Sequence, residues 1–339
     1  MLTVGVDVGG TSVRAGLVDA AGSVLDLRRA ATPSGDDALE DAIAAVVGEL
    51  AADHGWAPQR RPGQRRPGQR RPGQSRSGGV AAVGLAVAAF VATGRRQVHF
   101  SPHLSWRGAA VADRIERRVG VPVLLEHDAN AAAVAEHRFG AAAGARVTTL
   151  VAIGTGIGGA LLVGGELFRG AHGVAPELGH LRVVPDGRPC PCGKRGCWER
   201  YCSGTALVTT ALELLVRWRG SAGPLATAAT ADPGRLSGRR VAAAARDGDP
   251  VARRAMQELA RWLGEGLALV ADIYDPQVVI IGGGVAESAT LFLDEAREHY
   301  AATVTGAGYR PLARIRTSQL GDQAAIVGSA LLARALIDG

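Results

Sequence analysis

The chain opens on Leu2-Thr3-Val4-Gly5-Val6-Asp7-Val8-Gly9-Gly10-Thr11, and near its midpoint it reads Thr149-Leu150-Val151-Ala152-Ile153-Gly154-Thr155-Gly156-Ile157-Gly158-Gly159. Each stretch is an apolar run ended by glycines, which reads as a buried strand and a tight turn. The first continues into a returning strand, Val13 to Val18, and Asp19-Ala20-Ala21-Gly22 turns the chain into a third over Ser23 to Arg29. The second continues in kind, with a strand from Ala160 to Val163, a Gly164-Gly165 turn and Leu167-Phe168. Its turn matches Gly-x-Gly-x-x-Gly, but a dinucleotide fingerprint must open a helix, and only residues 160–163 separate Gly159 from the next glycine. A strand, glycine turn and hairpin repeated once per half predicts an α/β protein of two similar lobes closing over a nucleotide, not a Rossmann domain.

Backbone N–H groups at Gly9, Gly10 and Thr11 can cradle phosphate oxygens, and Asp7 at the strand end can face a phosphate-bound Mg²⁺; an ordinary tight hairpin is the plainer reading. A third glycine turn, Gly282-Gly283-Gly284, follows a buried strand over Gln277 to Ile281. With no side chain to hinder a flat ligand it can pass adenine or ribose close to the backbone, and tight helix packing explains it as well. Between these turns the periodicity predicts helices over Asp37–His54, Gly108–Arg118, Gly204–Arg219 and Val251–Ile273, and another from the third turn to Tyr300. A last helix, Ala324–Ile337, can cross back to the first lobe, while the alanine-rich region Leu225–Val241 is poorly defined. Strands are expected over Val80–Val87 and Val121–Leu125, with Ser101–Trp106 as loop. The Val121 strand delivers Glu126-His127-Asp128-Ala129-Asn130 to a helix start, where Asp128 can cap the helix or accept a proton from an attacking hydroxyl.

With 339 residues and 47% hydrophobic content, the chain can bury two cores. No apolar run reaches the length of a membrane span and the start lacks a signal-peptide pattern, so a soluble protein without a membrane partner is expected. Few cysteines, clustered as ligands would be, fit the reducing cytoplasm. The formal charge of +6 suggests nucleic acid, yet seven arginines (60, 61, 65, 66, 70, 71 and 76) sit in or just after a threefold Gln-Arg-Arg-Pro-Gly repeat, and subtracting them leaves −1. Residues 59–79 are therefore expected to form a disordered basic insertion on a nearly neutral body, with a polyanion-binding arm as the alternative.

Glu177-Leu178-Gly179-His180 is followed by Cys190, Cys192, Cys197 and Glu199. Three thiols and His180 make a Cys₃His set suited to tetrahedral zinc, although their spacing is not that of a DNA-reading finger. Three reduced buried thiols beside a surface histidine is the alternative.

Taken in order, these motifs resemble the ROK family (repressors, uncharacterised frames and sugar kinases), and within it the bacterial glucokinases. The resemblance rests on Asp7-Val8-Gly9-Gly10-Thr11, Asp128-Ala129-Asn130, the Gly154–Gly159 turn, Glu177-Leu178-Gly179-His180, Cys190-Pro191-Cys192-Gly193 with Gly196-Cys197-Trp198-Glu199, and Gly282-Gly283-Gly284. It covers almost the whole chain. It implies a two-lobed actin-like ATPase (ribonuclease H-like) fold with nucleotide and sugar in the interlobe cleft. Residues 1–125 plus 325–339 would form a small lobe and 126–324 a large one, with a zinc-binding loop at 177–199.

The implied reaction is ATP-dependent phosphorylation of glucose to glucose 6-phosphate, with Mg²⁺ as the catalytic ion and Asp128 as general base. Asn130, His127, His103, Glu177, His180 and Glu199 would contact the sugar. Asp7, Gly9, Gly10, Thr11, Gly154, Thr155, Gly156, Gly158, Gly282, Gly283 and Gly284 would contact the nucleotide or its phosphates. His180, Cys190, Cys192 and Cys197 would hold a structural Zn²⁺. The implied partners are a hexose, ATP and further copies of the chain in a dimer or tetramer, with no specific nucleic acid.

His103 and His127 stand where many relatives carry asparagine, and histidine is bulkier and titratable. That leaves open another hexose, such as N-acetylmannosamine, N-acetylglucosamine, fructose or allose. Thr11 in place of the serine of polyphosphate-using relatives points to ATP over polyphosphate. A sugar-responsive repressor would need a helix-turn-helix ahead of Asp7, where six residues leave no room. Asp7, Asp128 and the glycine turns argue against a non-catalytic sugar sensor.

Overall fold

Strand β1 (Leu2–Val8) sends Val4, Val6 and Val8 to one face of its sheet and Gly5 and Asp7 to the other, the period-2 alternation that sets everything packed around it. In the computed structural model, which describes residues 1–54, 79–220 and 223–338, β1 pairs antiparallel with β2 (Ser12–Val18), and β2 antiparallel with β3 (Val24–Ala31). Helix α1 (Asp36–Asp53) follows, then β4 (Val80–Val87), parallel to β1. The Arg-Pro-Gly repeat lies outside the described residues. Strands β5 (Phe90–Val91), β6 (Val98–Phe100) and β7 (Arg107–Ala109) form a small antiparallel sheet, followed by α2 (Val111–Val119), β8 (Val123–His127) parallel to β4, and α3 (Asp128–Phe139).

The second half repeats the plan with β9 (Val147–Ile153), β10 (Ile157–Val163) and β11 (Glu166–Leu167). Helices α4 (Gly204–Arg217), α5 (Pro224–Ala231), α6 (Gly238–Arg246) and α7 (Pro250–Tyr274) come next, then β12 (Val278–Gly282), α8 (Leu293–Thr303), β13 (Arg314–Thr317) and α9 (Ala324–Asp338). Sheet orders are β3-β2-β1-β4-β8 and β11-β10-β9-β12-β13, the same order twice. In both, the first two strands of the motif form an antiparallel hairpin and the next two join in parallel. Two α/β halves of like topology make the actin-like ATPase, ribonuclease H-like fold.

The chain divides into two compact units, Met1–Ala143 with Leu167–Ala175 and Asp322–Gly339, and Gly144–Glu166 with Pro176–Gly321. In the first, Val4 and Val6 of β1, Val83, Leu85 and Val87 of β4, and Val123 and Leu125 of β8 share one core with the apolar stripes of α1 (Leu39, Ile43, Val47) and α2 (Val111, Ile115). In the second unit, Val151, Ile153, Val279 and Ile281 meet the buried faces of α4, α6, α7 and α8.

The opposite face of the first sheet is built on glycine. Gly16, Gly5 and Gly84 lie side by side on β2, β1 and β4. A Cβ on Gly5 would fall 1.8 Å from the Ile326 carbonyl oxygen, and one on Gly84 1.9 Å from that of Ser329. Helix α9 therefore lies directly on the bare rung, and Gly328 in turn lets α3 approach, since a Cβ there would meet Ala131 O at 1.7 Å.

Several sequence expectations change. The helix expected over Gly108–Arg118 starts later, because Arg107–Ala109 pairs with β6 as a strand. The strand expected over Val121–Leu125 runs through His127, so His127 takes the helix N-cap position, with extended backbone, and Asp128 is the first helical residue. The alanine-rich region contains α5 and α6. After the third glycine turn a 3₁₀ run, Gly284–Leu291, kinks at Ser288 before α8 begins.

Candidate active site

In the first unit the Gly9–Thr11 turn is closed by Gly9 N–H donating to Ser12 O at 3.0 Å. Thr32 braces it: its hydroxyl donates to Gly9 O at 2.6 Å and its N–H to Thr11 O at 3.2 Å. His103 sits beside Gly10, where a Cβ would approach its own at 3.3 Å. Asp7 faces Arg14 across the β1–β2 pair, and Asp7 Oδ2 accepts from Arg14 Nη2 at 2.5 Å and Nε at 3.2 Å. Arg14 also reaches Asp322 at 3.3 Å, ahead of α9. Burial pushes the Asp7 carboxyl up; Arg14 pulls against this, and the charges of Asp128 and Asp322 push it further up.

Asp128 is 39% exposed, and its Oδ1 accepts from the Ala129 N–H at 2.7 Å, with His127 Nδ1 3.4 Å away. Asp128 is itself the first helical residue, so this bond to the next N–H is not the reach of an N-cap side chain from outside the helix, and it leaves Oδ2 for another donor. Asn130 is buried: its Nδ2 donates to Glu126 Oε1 at 2.9 Å, while its Oδ1 has no partner among the described residues. Glu126, absent from the sequence candidates, anchors this helix start. Its Oε1 also accepts from the His127 N–H at 3.1 Å, and its Oε2 accepts a fork from Arg169 at 3.0 and 2.7 Å. Burial and the neighbouring Arg169 push Arg95 below its ordinary value, with Glu126, 3.9 Å away, offsetting part of this. The Glu126–Arg169 pair spans 43 positions, so local patterning gives no sign of it.

In the second unit the Gly154 turn is held by the start of α4, where Gly204 N–H donates to Gly154 O at 2.8 Å. Ser203 caps α4 by accepting from Ala206 N–H, and Ser237 caps α6 by accepting from Arg240 N–H. Gly204 and Gly238 follow those caps and nearly touch, a Cβ on Gly238 falling 3.2 Å from Gly204 Cα. A cavity of about 520 Å³ lies here, bordered by Gly154, Thr155, Gly204, Ser237, Gly284 and Ser288. It thus gathers two of the predicted glycine turns. Gly283 has φ +78° and a Cβ would meet Ile153 O at 2.5 Å, so this position joins β12 closely to the end of β9. Gly282 ends β12, and Gly156 and Gly158 flank the entry to β10. The Ser-Gly pairs at 203–204 and 237–238 are the sequence signal for this cavity, as caps directly ahead of helices.

The same unit assembles the Cys₃His set. The ligand atoms of His180, Cys190, Cys192 and Cys197 all lie within 4.8 Å of one another. Cys192 and Cys197 sulfurs are 3.6 Å apart, and Cys190 Sγ is 3.7 Å from His180 Nδ1. Tetrahedral zinc, with bonds of about 2.3 Å to sulfur and 2.0 Å to nitrogen, gives edges of roughly 3.5–3.8 Å, so the donor set fits that ion. Glu199 Oε1 accepts from Cys190 Sγ at 3.1 Å, and His180 Nε2 is 3.9 Å from Glu177 Oε2. On its other side Glu199 reaches the Gly154–Gly159 turn, where a Cβ on Gly156 would fall 2.5 Å from Oε2. The loop is also anchored by packing: Trp198 is fully buried, donates to Trp262 O at 2.7 Å and lies against Gly266 of α7. Cys202 is a packing thiol, pushed up by burial alone.

The first unit thus gathers Asp7, Gly9, Gly10, Thr11, His103, His127, Asp128 and Asn130, and the second the remaining predicted site residues. Among the described residues no helix is long and apolar enough to cross a membrane.

The ROK family profile matches residues 71–336. Over 333 residues, 98% of each chain, the protein is 40% identical to the glucokinase of Streptomyces coelicolor. A ROK family glucokinase from Streptomyces griseus, solved in complex with glucose and AMPPNP, matches with a TM-score of 0.83 at 40% identity, over 99% of this chain and 100% of that one. The ROK hexokinase from Thermus thermophilus matches with a TM-score of 0.75 at 30% identity, over 100% of both chains. The sheets, the glycine turns and these likenesses converge: the chain belongs to the ROK family.

Proposed function

We propose that the protein transfers the γ-phosphoryl group of ATP to glucose, with Asp128 as general base. The observation that carries this reading is the state of Asp128: one carboxylate oxygen is engaged by its own helix and the other is left to accept a proton. It is supported by identity along the chain with a glucokinase and by likeness to one bound to glucose and AMPPNP. Phosphoryl transfer asks a protein mainly to position the alcohol and neutralise charge.

The residues divide that work. The apolar cavity takes adenine, and the Gly154-Thr155-Gly156 amides with the N-terminus of α4 take phosphate oxygens. The Gly9–Thr11 amides serve the transferring end. Asp7 would hold the Mg²⁺ of the nucleotide, which supplies charge neutralisation at the β- and γ-oxygens. His103, His127, Asn130, Glu177, His180 and Glu199 bind sugar hydroxyls, rejecting analogues that leave these groups unpaired. His180, Cys190, Cys192 and Cys197 would hold Zn²⁺, and four protein ligands leave no position for water, so it supplies local folding energy.

A coupled assay with ATP across a hexose panel tests the reaction, with glucose expected to give the highest kcat/KM. Preference for an N-acetylated hexose would move the assignment to another ROK kinase. Asp128→Asn should fold, bind glucose and lose about 10²–10⁴-fold in kcat. A near-normal kcat in that variant would remove Asp128 from its role.

A further inference from the structure

The wall of the cavity in the second unit is largely apolar, with Leu207, Val208, Leu236 and Met256 among its lining. Such a wall holds a flat ring but does not read its edge. Of the hydroxyls that border it, those of Thr155, Thr205 and Ser237 belong to exposed residues. Thr209 donates to Thr205 O at 3.1 Å, and Ser237 accepts the α6 capping bond from Arg240 N–H. Ser288 differs: it is 8% exposed, stands at the kink of the Gly284–Leu291 run, and its Oγ accepts from Arg246 Nη2 at 2.7 Å. The guanidinium occupies a lone pair of Ser288, and among the described residues no acceptor is found for the hydroxyl proton. A hydroxyl whose oxygen is held by a cation is a strengthened donor.

We propose that Ser288 reads the nucleobase, donating its hydroxyl proton to a ring nitrogen of the purine, with Arg246 as the positioning residue that fixes the hydroxyl. This rests on the reading of the cavity as the nucleotide site. Ring nitrogens are acceptors without protons, so a donor held in an apolar wall selects for them, and loss of the hydroxyl leaves the nitrogen unpaired.

Ser288→Ala should raise KM for ATP about tenfold, while kcat and KM for glucose stay within about twofold. Ser288→Thr, which keeps the hydroxyl, should restore most of the loss. With 1-, 3- and 7-deaza-ATP, one analogue should be about tenfold poorer than ATP for the unaltered enzyme and no poorer than ATP for Ser288→Ala. An unchanged KM in Ser288→Ala, or an equal loss toward ATP and all three analogues, overturns the proposal. Val208→Trp, which fills the cavity from its partly exposed side, separates the two readings. If it leaves KM for ATP unchanged, the cavity is not the nucleotide site. If it raises that KM strongly while Ser288→Ala does not, only the role of Ser288 fails. A glucose-induced rise in Tm in each variant reports that the fold is intact.

Discussion

The two sheets share one strand order but treat equivalent positions in opposite ways. Four residues before the first glycine of each turn stand Gly5 and Leu150, and their partners are Gly16 and Gly84 in one sheet, Ala160 and Ile280 in the other. The first rung is bare and receives the backbone of α9; the second is filled by buried side chains. Two residues before the turns stand Asp7 and Ala152, so only the first hairpin carries a carboxylate at its turn. Strand order follows from the alternation of apolar residues, which both hairpins share. What each hairpin can do follows from single positions within that alternation.

The largest test of this difference is electrostatic. Asp7→Asn should lower kcat by about 10³-fold by removing the carboxylate that would hold the Mg²⁺ of the nucleotide, whereas Ala152→Asn should change it little. Stability should move the other way. A carboxyl raised by burial binds more protons in the native than in the unfolded state, so its contribution to stability falls as pH rises through the raised value. Above that value the ionised Asp7 costs stability, and Asp7→Asn should melt no lower than the unaltered protein at pH 8. The difference should vanish in acid below the ordinary carboxylate range. A markedly lower Tm at pH 8 would make Asp7 a structural partner of Arg14 first.

Next comes packing. Gly84→Ala forces a methyl toward the Ser329 carbonyl and should cost about 3 kcal/mol in urea unfolding, because backbone must move. The reverse change on the matching rung, Ala160→Gly, loses one methyl and some backbone restriction, about 1 kcal/mol. Equal costs would mean that the bare rung has no special relation to α9.

Much of this can be read along the chain. The two hairpins, the glycine turns, the Cys₃His cluster and the position of Asp128 all follow from local pattern. Strands β5, β6 and β7 do not, because two or three residues carry no period, and neither do α5 and α6, because alanine gives little contrast between faces. The bond from Arg14 to Asp7 lies across a hairpin and is available from its register. Glu126–Arg169 is not, since it depends on tertiary placement. The anchoring of the Cys190–Glu199 loop by Trp198 is equally hidden, because it depends on one indole buried against Gly266 of α7, far along the chain.

The smallest expected effect concerns how each turn is braced. The Gly154 turn is held by a backbone donor, Gly204 N–H, which no substitution other than proline removes. The Gly9 turn depends on a side chain, the Thr32 hydroxyl on Gly9 O. Thr32→Val keeps the shape and deletes that donor, so it should cost about 1 kcal/mol of stability. A looser turn should also weaken phosphate contacts, raising KM for ATP a few-fold with kcat nearly kept. Thr32→Ser should recover both, because it restores the hydroxyl without the methyl. If Thr32→Val leaves both unchanged, the first turn is held by its own Gly9–Ser12 bond, and the two hairpins differ in charge and rung but not in bracing.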